Sequence, residues 1–407
     1  MLNNTIFYLV ISTFKLKQIN IDNGNLIELR LIIYTGKGGT GKTVTSCATA
    51  INLAERKYKT LLMSADPAHT LSDALCVDIG YEIKKVLSNL EAIEIDPIVE
   101  ISEKYLDIVS SMSTSFFGKG IESNLEYEIA MLPGMTQLFS LLKIEEVIKE
   151  DSYDVVVLDM AASGEALRFL YLPKIIGSMR RHTTGLSNLF TGFAKMFQPF
   201  SPYNTNLDSI IAQKDILKRL ENLFSVISNQ GVTSLRLVTN TDNFSVKNAK
   251  RSLMSANIFG INVDLVVINK VDFDQEAKRI TSEKIKLNFF PLPCKEAKYH
   301  KEELQGIEML REHGLEIFGN DDPSTIFFEG KVYSIEEKEN SIIIKFKIPF
   351  ASNAQLDIKK KYDELIISIE HDLRYITNIV TLPLAALNMR IVSSKLNDDE
   401  LEIILKR

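Results

Sequence analysis

An apolar run, Leu31-Ile32-Ile33-Tyr34, leads directly into Gly36-Lys37-Gly38-Gly39-Thr40-Gly41-Lys42-Thr43, which is followed by the amphipathic stretch Val44 to Glu55. A strand, a glycine-rich loop and a helix in that order build an anion cradle. The glycines let successive backbone N–H groups turn toward phosphate oxygens, and the helix presents its positive end to the same anion. The loop fits G-x-x-x-x-G-K-[ST], a pattern in which Lys42 reaches the β- and γ-phosphates and the Thr43 hydroxyl ligates Mg²⁺. Gly36, Lys37, Gly38, Gly39, Thr40, Gly41, Lys42 and Thr43, with Val44 opening the helix, are thus the candidate nucleotide-binding residues. Lys37, a second lysine inside the loop, narrows the reading further.

Bulk properties exclude several classes. At 407 residues the chain has room for one large domain and a smaller one. Its net charge is −6 and no Lys/Arg block stands out, so nucleic acid is not an expected partner. The three cysteines, Cys47, Cys76 and Cys294, are too widely spaced for a C-x-x-C pair, which fits a reducing cytoplasm and no disulfide framework. Residues 1–28 read as an appendage. Thr5 to Thr13 is apolar but lacks a basic lead-in and a small-residue cleavage motif, and is too short to span a bilayer. An upstream start and an extra strand both remain open for it. No run of eighteen apolar residues occurs elsewhere, so a soluble protein is expected.

Short β-branched runs alternate with longer helical patterns up to about Gly319: Leu29–Tyr34, Thr60–Ser64, Leu90–Asp96, Val155–Asp159, Ser234–Thr239, Leu265–Asn269 and Leu287–Phe290. The expected class is α/β, a doubly wound, mostly parallel sheet covered by helices on both faces. Helical stretches at about 102–150 and 165–229 form an insert. Ligands of such sheets bind at the carboxyl ends of the strands. Residues 319–325 are polar and read as a linker. From 326 to 407 strand follows strand (Ser341–Ile348, Leu356–Lys359, Glu364–Glu370, Thr377–Leu382, Met389–Lys395, Leu401–Leu405), as in an all-β sandwich.

Two carboxylates complete the candidate site. Asp66 follows the second strand in Ser64-Ala65-Asp66-Pro67-Ala68-His69-Thr70, where it can orient an attacking water. Taken alone, the same residues also fit an ordinary turn with Ser72 or Asp73 capping a helix. Asp159 ends the apolar run Val155-Val156-Val157-Leu158, where an aspartate holds Mg²⁺ beside the phosphate loop.

With these residues in order, G-K-G-G-T-G-K-T, S-A-D-P-A-H-T-L-S-D-A-L, Leu132-Pro133-Gly134-Met135 and D-M-A-A-S-G-E-A-L-R-F-L from Asp159, residues 29–318 resemble the ArsA family of ATPases. This family contains arsenite-pump ATPases and ATPases that target tail-anchored membrane proteins. The resemblance implies ATP and Mg²⁺ as cofactors, with Lys37, Lys42 and Asp66 as the catalytic residues. It makes Lys37 a signature lysine that reaches the nucleotide of a partner subunit, Asp66 the water-activating residue and Asp159 the Mg²⁺-side residue. Asn269 in Val267-Ile268-Asn269-Lys270 becomes the adenine contact, with Pro291 near the base. Only one such loop exists, so a homodimer is expected, with a hydrophobic protein client or a membrane transporter subunit as further partner.

Departures from the family pattern are visible. Glu165 stands where arsenite pumps carry a histidine, no cysteines correspond to their arsenite ligands, and the zinc-binding C-x-x-C of the targeting group is missing. The tail, with Phe346-Lys347-Ile348-Pro349 early and Ser394 to Ile403 late, is similar to the α-crystallin-like domain of small heat-shock proteins. Leu186, Leu189, Phe190, Phe193, Met196 and Phe197 share a helical face that suits apolar clients, although most such faces are core. A rival reading follows: a nucleotide-switched chaperone with slow hydrolysis, whose β domain holds unfolded chains.

Overall fold

The computed structural model describes residues 29–66, 70–106, 133–162, 166–172, 174, 207–274, 276–330, 332–351, 354–371 and 374–407. The residues Pro67 to His69, the apolar face between 186 and 197, His182 and Glu165 lie outside them.

Eight strands form the first sheet: β1 (Arg30–Gly36), β2 (Thr60–Ser64), β3 (Lys84–Leu87), β4 (Leu90–Glu94), β5 (Val155–Ala162), β6 (Thr233–Asn240), β7 (Val263–Val271) and β8 (Cys294–Lys298). Their order is β3-β4-β2-β5-β1-β6-β7-β8. All neighbouring pairs are parallel except β3 with β4. The strands β1, β2 and β5 are buried on both faces, which is why they read as unbroken apolar runs rather than alternating ones. The central strand β1 therefore delivers its loop to the middle of the carboxyl edge.

Helix α1 (Lys42–Glu55) follows that loop, α2 (Leu71–Leu75) follows β2, and α3 (Pro97–Glu100) follows β4. The insert contributes α4 (Pro133–Glu150) and α5 (Leu207–Ile227). Helices α6 (Asn243–Phe259), α7 (Glu276–Phe289) and α8 (Gly306–Phe318) connect and follow the last strands.

Leu287–Phe290, expected as the last strand of this sheet, is instead the end of α7, and Cys294–Lys298 is the strand. The burial pattern gives the reason. Ile285 and Phe289, four apart, are buried while Leu287 is 76% exposed, so the run has helical and not alternating periodicity. The exposed edge strand β3, with little apolar signal, is a second element the pattern did not reveal.

The tail forms two antiparallel sheets. Strands β9 (Tyr333–Lys338), β10 (Ser341–Lys347), β14 (Arg390–Asn397) and β15 (Glu400–Lys406) order as β14-β15-β10-β9, and β11 (Gln355–Lys361), β12 (Glu364–His371) and β13 (Arg374–Thr381) form the other. Ile342, Ile344 and Phe346 of β10, Leu401, Ile403 and Leu405 of β15, and Leu365, Ile367 and Ile369 of β12 are buried at every second position, the period of strands with one face inward.

These sheets share one apolar core with the parallel sheet: Leu31, Ile33 and Leu235 belong to the same buried cluster as Ile344 and Ile403. Asn378 of β13 donates through its amide to the Ile258 carbonyl, and the Tyr171 hydroxyl donates to Asn378 Oδ1. Lys174 Nζ reaches the same oxygen at 3.1 Å, and the Ile379 N–H donates to the Tyr171 oxygen at 2.9 Å. The polar residues 319–325 are fastened to the parallel sheet. Arg236, fully buried on β6, donates to the carbonyls of Pro323 (2.7 Å) and Thr325 (3.2 Å), and Arg30 donates to that of Ser324 (2.8 Å).

Candidate functional site

Backbone geometry shapes the loop. Gly39 and Gly41 have φ of 78° and 89°, a region that L side chains rarely adopt. A Cβ at Gly36 would collide with the Val238 carbonyl, and one at Gly41 with the Asn269 amide. Within the loop the Thr40 hydroxyl donates to the Lys37 carbonyl at 2.7 Å. From the neighbouring strand ends, Asn269 Nδ2 donates to the Thr40 carbonyl (2.9 Å), while Lys270 Nζ (3.1 Å) and Asn240 Nδ2 (3.4 Å) donate to that of Gly39. Lys270 and Asn240 drew no attention as sequence. They act only because β6 lies beside β1 and β7 beside β6, with Asn240 and Asn269 in register at their ends.

Behind the loop, Thr43 and Asp159, 116 positions apart in the chain, meet: the Thr43 hydroxyl donates to Asp159 Oδ2 at 2.6 Å. The Thr70 hydroxyl lies 3.1 Å from that of Thr43, another contact that only folding reveals. Asp159 is fully buried, and its Oδ1 has no hydrogen-bond partner among the described residues. Burial pushes its carboxyl up to about 7; the Thr43 hydrogen bond and the Lys42 charge pull the other way, and the Asp66 charge adds to the rise. An orphaned carboxylate oxygen and a hydroxyl, both hard donors, fit Mg²⁺. The fit comes from the donor set itself.

Asp66 lies two residues beyond Ser64, which pairs with Asp159 across β2 and β5, and its backbone N–H donates to the Ser64 hydroxyl at 3.2 Å. The competing reading of this segment is not what caps α2. Ser72 and Asp73 lie inside that helix, and Glu94, at the end of β4, accepts from the N–H groups of Leu71 (2.8 Å) and Ser72 (3.1 Å). Glu94 thus supplies from another strand the acceptor that a local cap would provide.

Lys42 is buried, whereas Lys37 is exposed and within electrostatic reach of Asp242. Asp242 is held below the usual carboxylate range, first by its hydrogen bond from Ser245 and also by the Lys37 charge. Two lysines of one loop thus differ sharply in exposure.

Pro291 is not brought to this cluster. It precedes β8, whose first residue Cys294 pairs with Val266, so it sits at the amino end of the parallel strands, opposite the phosphate loop. There it lines a cavity of about 380 Å³ with Leu253, Phe328 and Phe350. Strand polarity decides this, because the turn that enters a parallel strand lies on the edge away from the turn that leaves it.

Residues 29–318 match the family described as Anion-transporting ATPase, and residues 339–405 match the HSP20-like domain found in ArsA. The chain is 31% identical over 369 residues to a protein of Prosthecochloris vibrioformis provisionally named an arsenical pump-driving ATPase, covering 87% of this chain and 91% of that protein. A similarly named protein of Aquifex aeolicus is 28% identical over 402 residues, 93% of this chain and all of that one. The ATPase GET3 of Phaeosphaeria nodorum is 30% identical over 258 residues, 61% of this chain and 78% of the relative. A two-lysine phosphate loop, Thr43 bonded to a buried Asp159 behind it and a family match across the whole parallel-sheet region agree: the chain is an ATPase of the anion-transporting, ArsA-type family.

Proposed function

We propose that the chain hydrolyses ATP at the Gly36–Thr43 loop and uses the cycle to open and close a homodimer that works on a hydrophobic client or a membrane partner. The observation that carries the reading is Asp159, buried with one oxygen unpartnered, 2.6 Å from the Thr43 hydroxyl. Thr43 and Asp159 would hold Mg²⁺, which supplies positive charge to the β- and γ-phosphates when bound. Lys42 neutralises the phosphates from below. Asp66, next to Asp159 on the carboxyl edge, positions the attacking water and accepts its proton. Asn269, at the same edge, is the base-side residue, and nucleotide binding would exchange its bond to the Thr40 carbonyl for one to adenine.

Lys37 is the residue that calls for a second copy. Exposed on the loop while Lys42 is buried, it supplies charge to the partner subunit's triphosphate in the manner of an arginine finger. ATP turnover and sedimentation test the scheme together. Asp66→Asn is expected to keep ATP binding and lose turnover by about 10²-fold or more. Lys37→Ala is expected to lose turnover and ATP-dependent dimerisation together. Undiminished phosphate release by the first variant removes the role of Asp66, and an unchanged dimer in the second removes the cross-subunit lysine.

One observation favours the second reading, a nucleotide-switched holdase. The helical residues Tyr171 and Lys174, shortly after the Asp159 strand, are bonded to Asn378 in the β domain, so a rearrangement there would reach the β sheets. Suppression of client aggregation by the full chain that changes with nucleotide but survives Asp66→Asn would support it.

A further inference from the structure

At the carboxyl edge of the sheet, beyond β8, lies a cluster that the nucleotide chemistry does not use. His300 follows β8 in a loop whose Tyr299 N–H donates to the Val271 carbonyl at 2.9 Å. His313 and Glu316 stand three residues apart on α8. His300 Nε2 is 3.0 Å and His313 Nδ1 is 3.6 Å from the same oxygen, Glu316 Oε2, and all three donor atoms lie within 4.8 Å of one another. Donors placed tetrahedrally about 2.0–2.1 Å from one Zn²⁺ ion are about 3.3 Å apart. The observed separations bracket that value.

An independent observation singles out His313. Its side chain is fully buried, and neither ring nitrogen has a hydrogen-bond partner among the described residues. An imidazole that has lost its water contacts without replacement is expensive to bury. The 3.6 Å to Glu316 is too long for a hydrogen bond and suits two ligands of one ion. His300 and Glu316 remain 27% and 33% exposed, which leaves the ion a way in and a coordination position open to water.

We propose that His300, His313 and Glu316 form a binding site for a borderline divalent transition ion of the Zn²⁺ class. Two imidazoles and one carboxylate select against Mg²⁺, so this site and the oxygen site at Thr43 and Asp159 would not compete for one metal. The ion would pin the loop after β8 to α8. That helix presses closely on α1, where a Cβ at Gly314 would come within 2.8 Å of the Ala48 carbonyl. The clamp would thereby stiffen the wall beside the helix that begins at Lys42.

The test is metal content and Zn²⁺ titration of the full chain in excess Mg²⁺, in a Cys76→Ser, Cys294→Ser background that removes the accessible thiols. The expected result is one ion per chain, with affinity lowered at least about tenfold in His300→Ala and in Glu316→Gln. Both variants change exposed positions and spare the buried His313. Zn²⁺ is also expected to raise the melting temperature of the parent and not of a His300→Ala, Glu316→Gln double variant. Absence of stoichiometric binding, or binding undiminished in the double variant, overturns the site and leaves His300 and Glu316 as an ion pair only.

Discussion

Two aspartates of the parallel sheet, both fully buried, have opposite surroundings. Asp264 on β7 lies 3.3 Å from the guanidinium of Arg236 and accepts the Phe327 N–H at 3.2 Å, while Arg236 is itself shared with Pro323, Thr325 and the Tyr34 hydroxyl. Asp159 on β5 has one hydrogen bond, from a threonine, the nearby charge of Lys42 and an orphaned oxygen. A buried charge is retained only when something answers it. Asp264 is answered from within the chain, which locks residues 319–325 in place. Asp159 keeps one oxygen that nothing among the described residues answers.

The sharpest way to break this comparison is to remove the internal answer. Asp264→Ala leaves Arg236 fully buried without its carboxylate, and denaturant unfolding should show a loss of about 3–5 kcal/mol. A loss below about 1 kcal/mol would mean that the backbone carbonyls and surrounding rings suffice for the guanidinium, and the contrast would fail.

At the other end the sign reverses. Because burial raises the Asp159 carboxyl to about 7, the folded chain without metal holds a proton that the unfolded chain releases near pH 4. This contribution to stability is fully present below about pH 4 and is lost as pH rises through about 7. Asp159→Asn should therefore make the metal-free chain more stable than the parent at pH 8, by about 4 kcal/mol, and the difference should shrink as pH falls and vanish only below about pH 4. Urea unfolding at several pH values without Mg²⁺ or nucleotide measures it, and a pH-independent difference would contradict the unanswered charge.

The smallest expected effect concerns the contact between the two parts of the chain. Tyr171→Phe removes the hydroxyl that bonds the buried Asn378 and the Ile379 N–H, and should cost about 1–3 kcal/mol in the same assay. A neutral result would place the adhesion of the β sheets in their shared apolar core alone.

Much of this was legible in the chain. Strands buried on both faces announce themselves as apolar runs, and a loop whose glycines are needed for positive φ has few alternatives, so Gly36–Thr43 and the strands before it could be read directly. The all-β tail followed from its succession of short strand-like runs. Leu287–Phe290 was misread because four apolar residues cannot distinguish a helix end from a strand, and β3 escaped because an exposed edge carries no apolar signature. No helix of the described residues is long and apolar enough to cross a membrane, in line with the hydropathy of the sequence.

Local pattern therefore determined the kind of site to look for: a candidate phosphate loop, the lysines and carboxylates that accompany it, and the α/β sheet that carries them. Tertiary structure alone decided who meets whom. Thr43 touches Asp159, Glu94 caps a helix from a distant strand, Asn240 and Lys270 steady the loop, and Pro291 falls on the wrong edge. The physical reason is that residue type and spacing encode backbone conformation and burial within one element. Contacts between elements depend on strand order and direction, which no short stretch of chain contains.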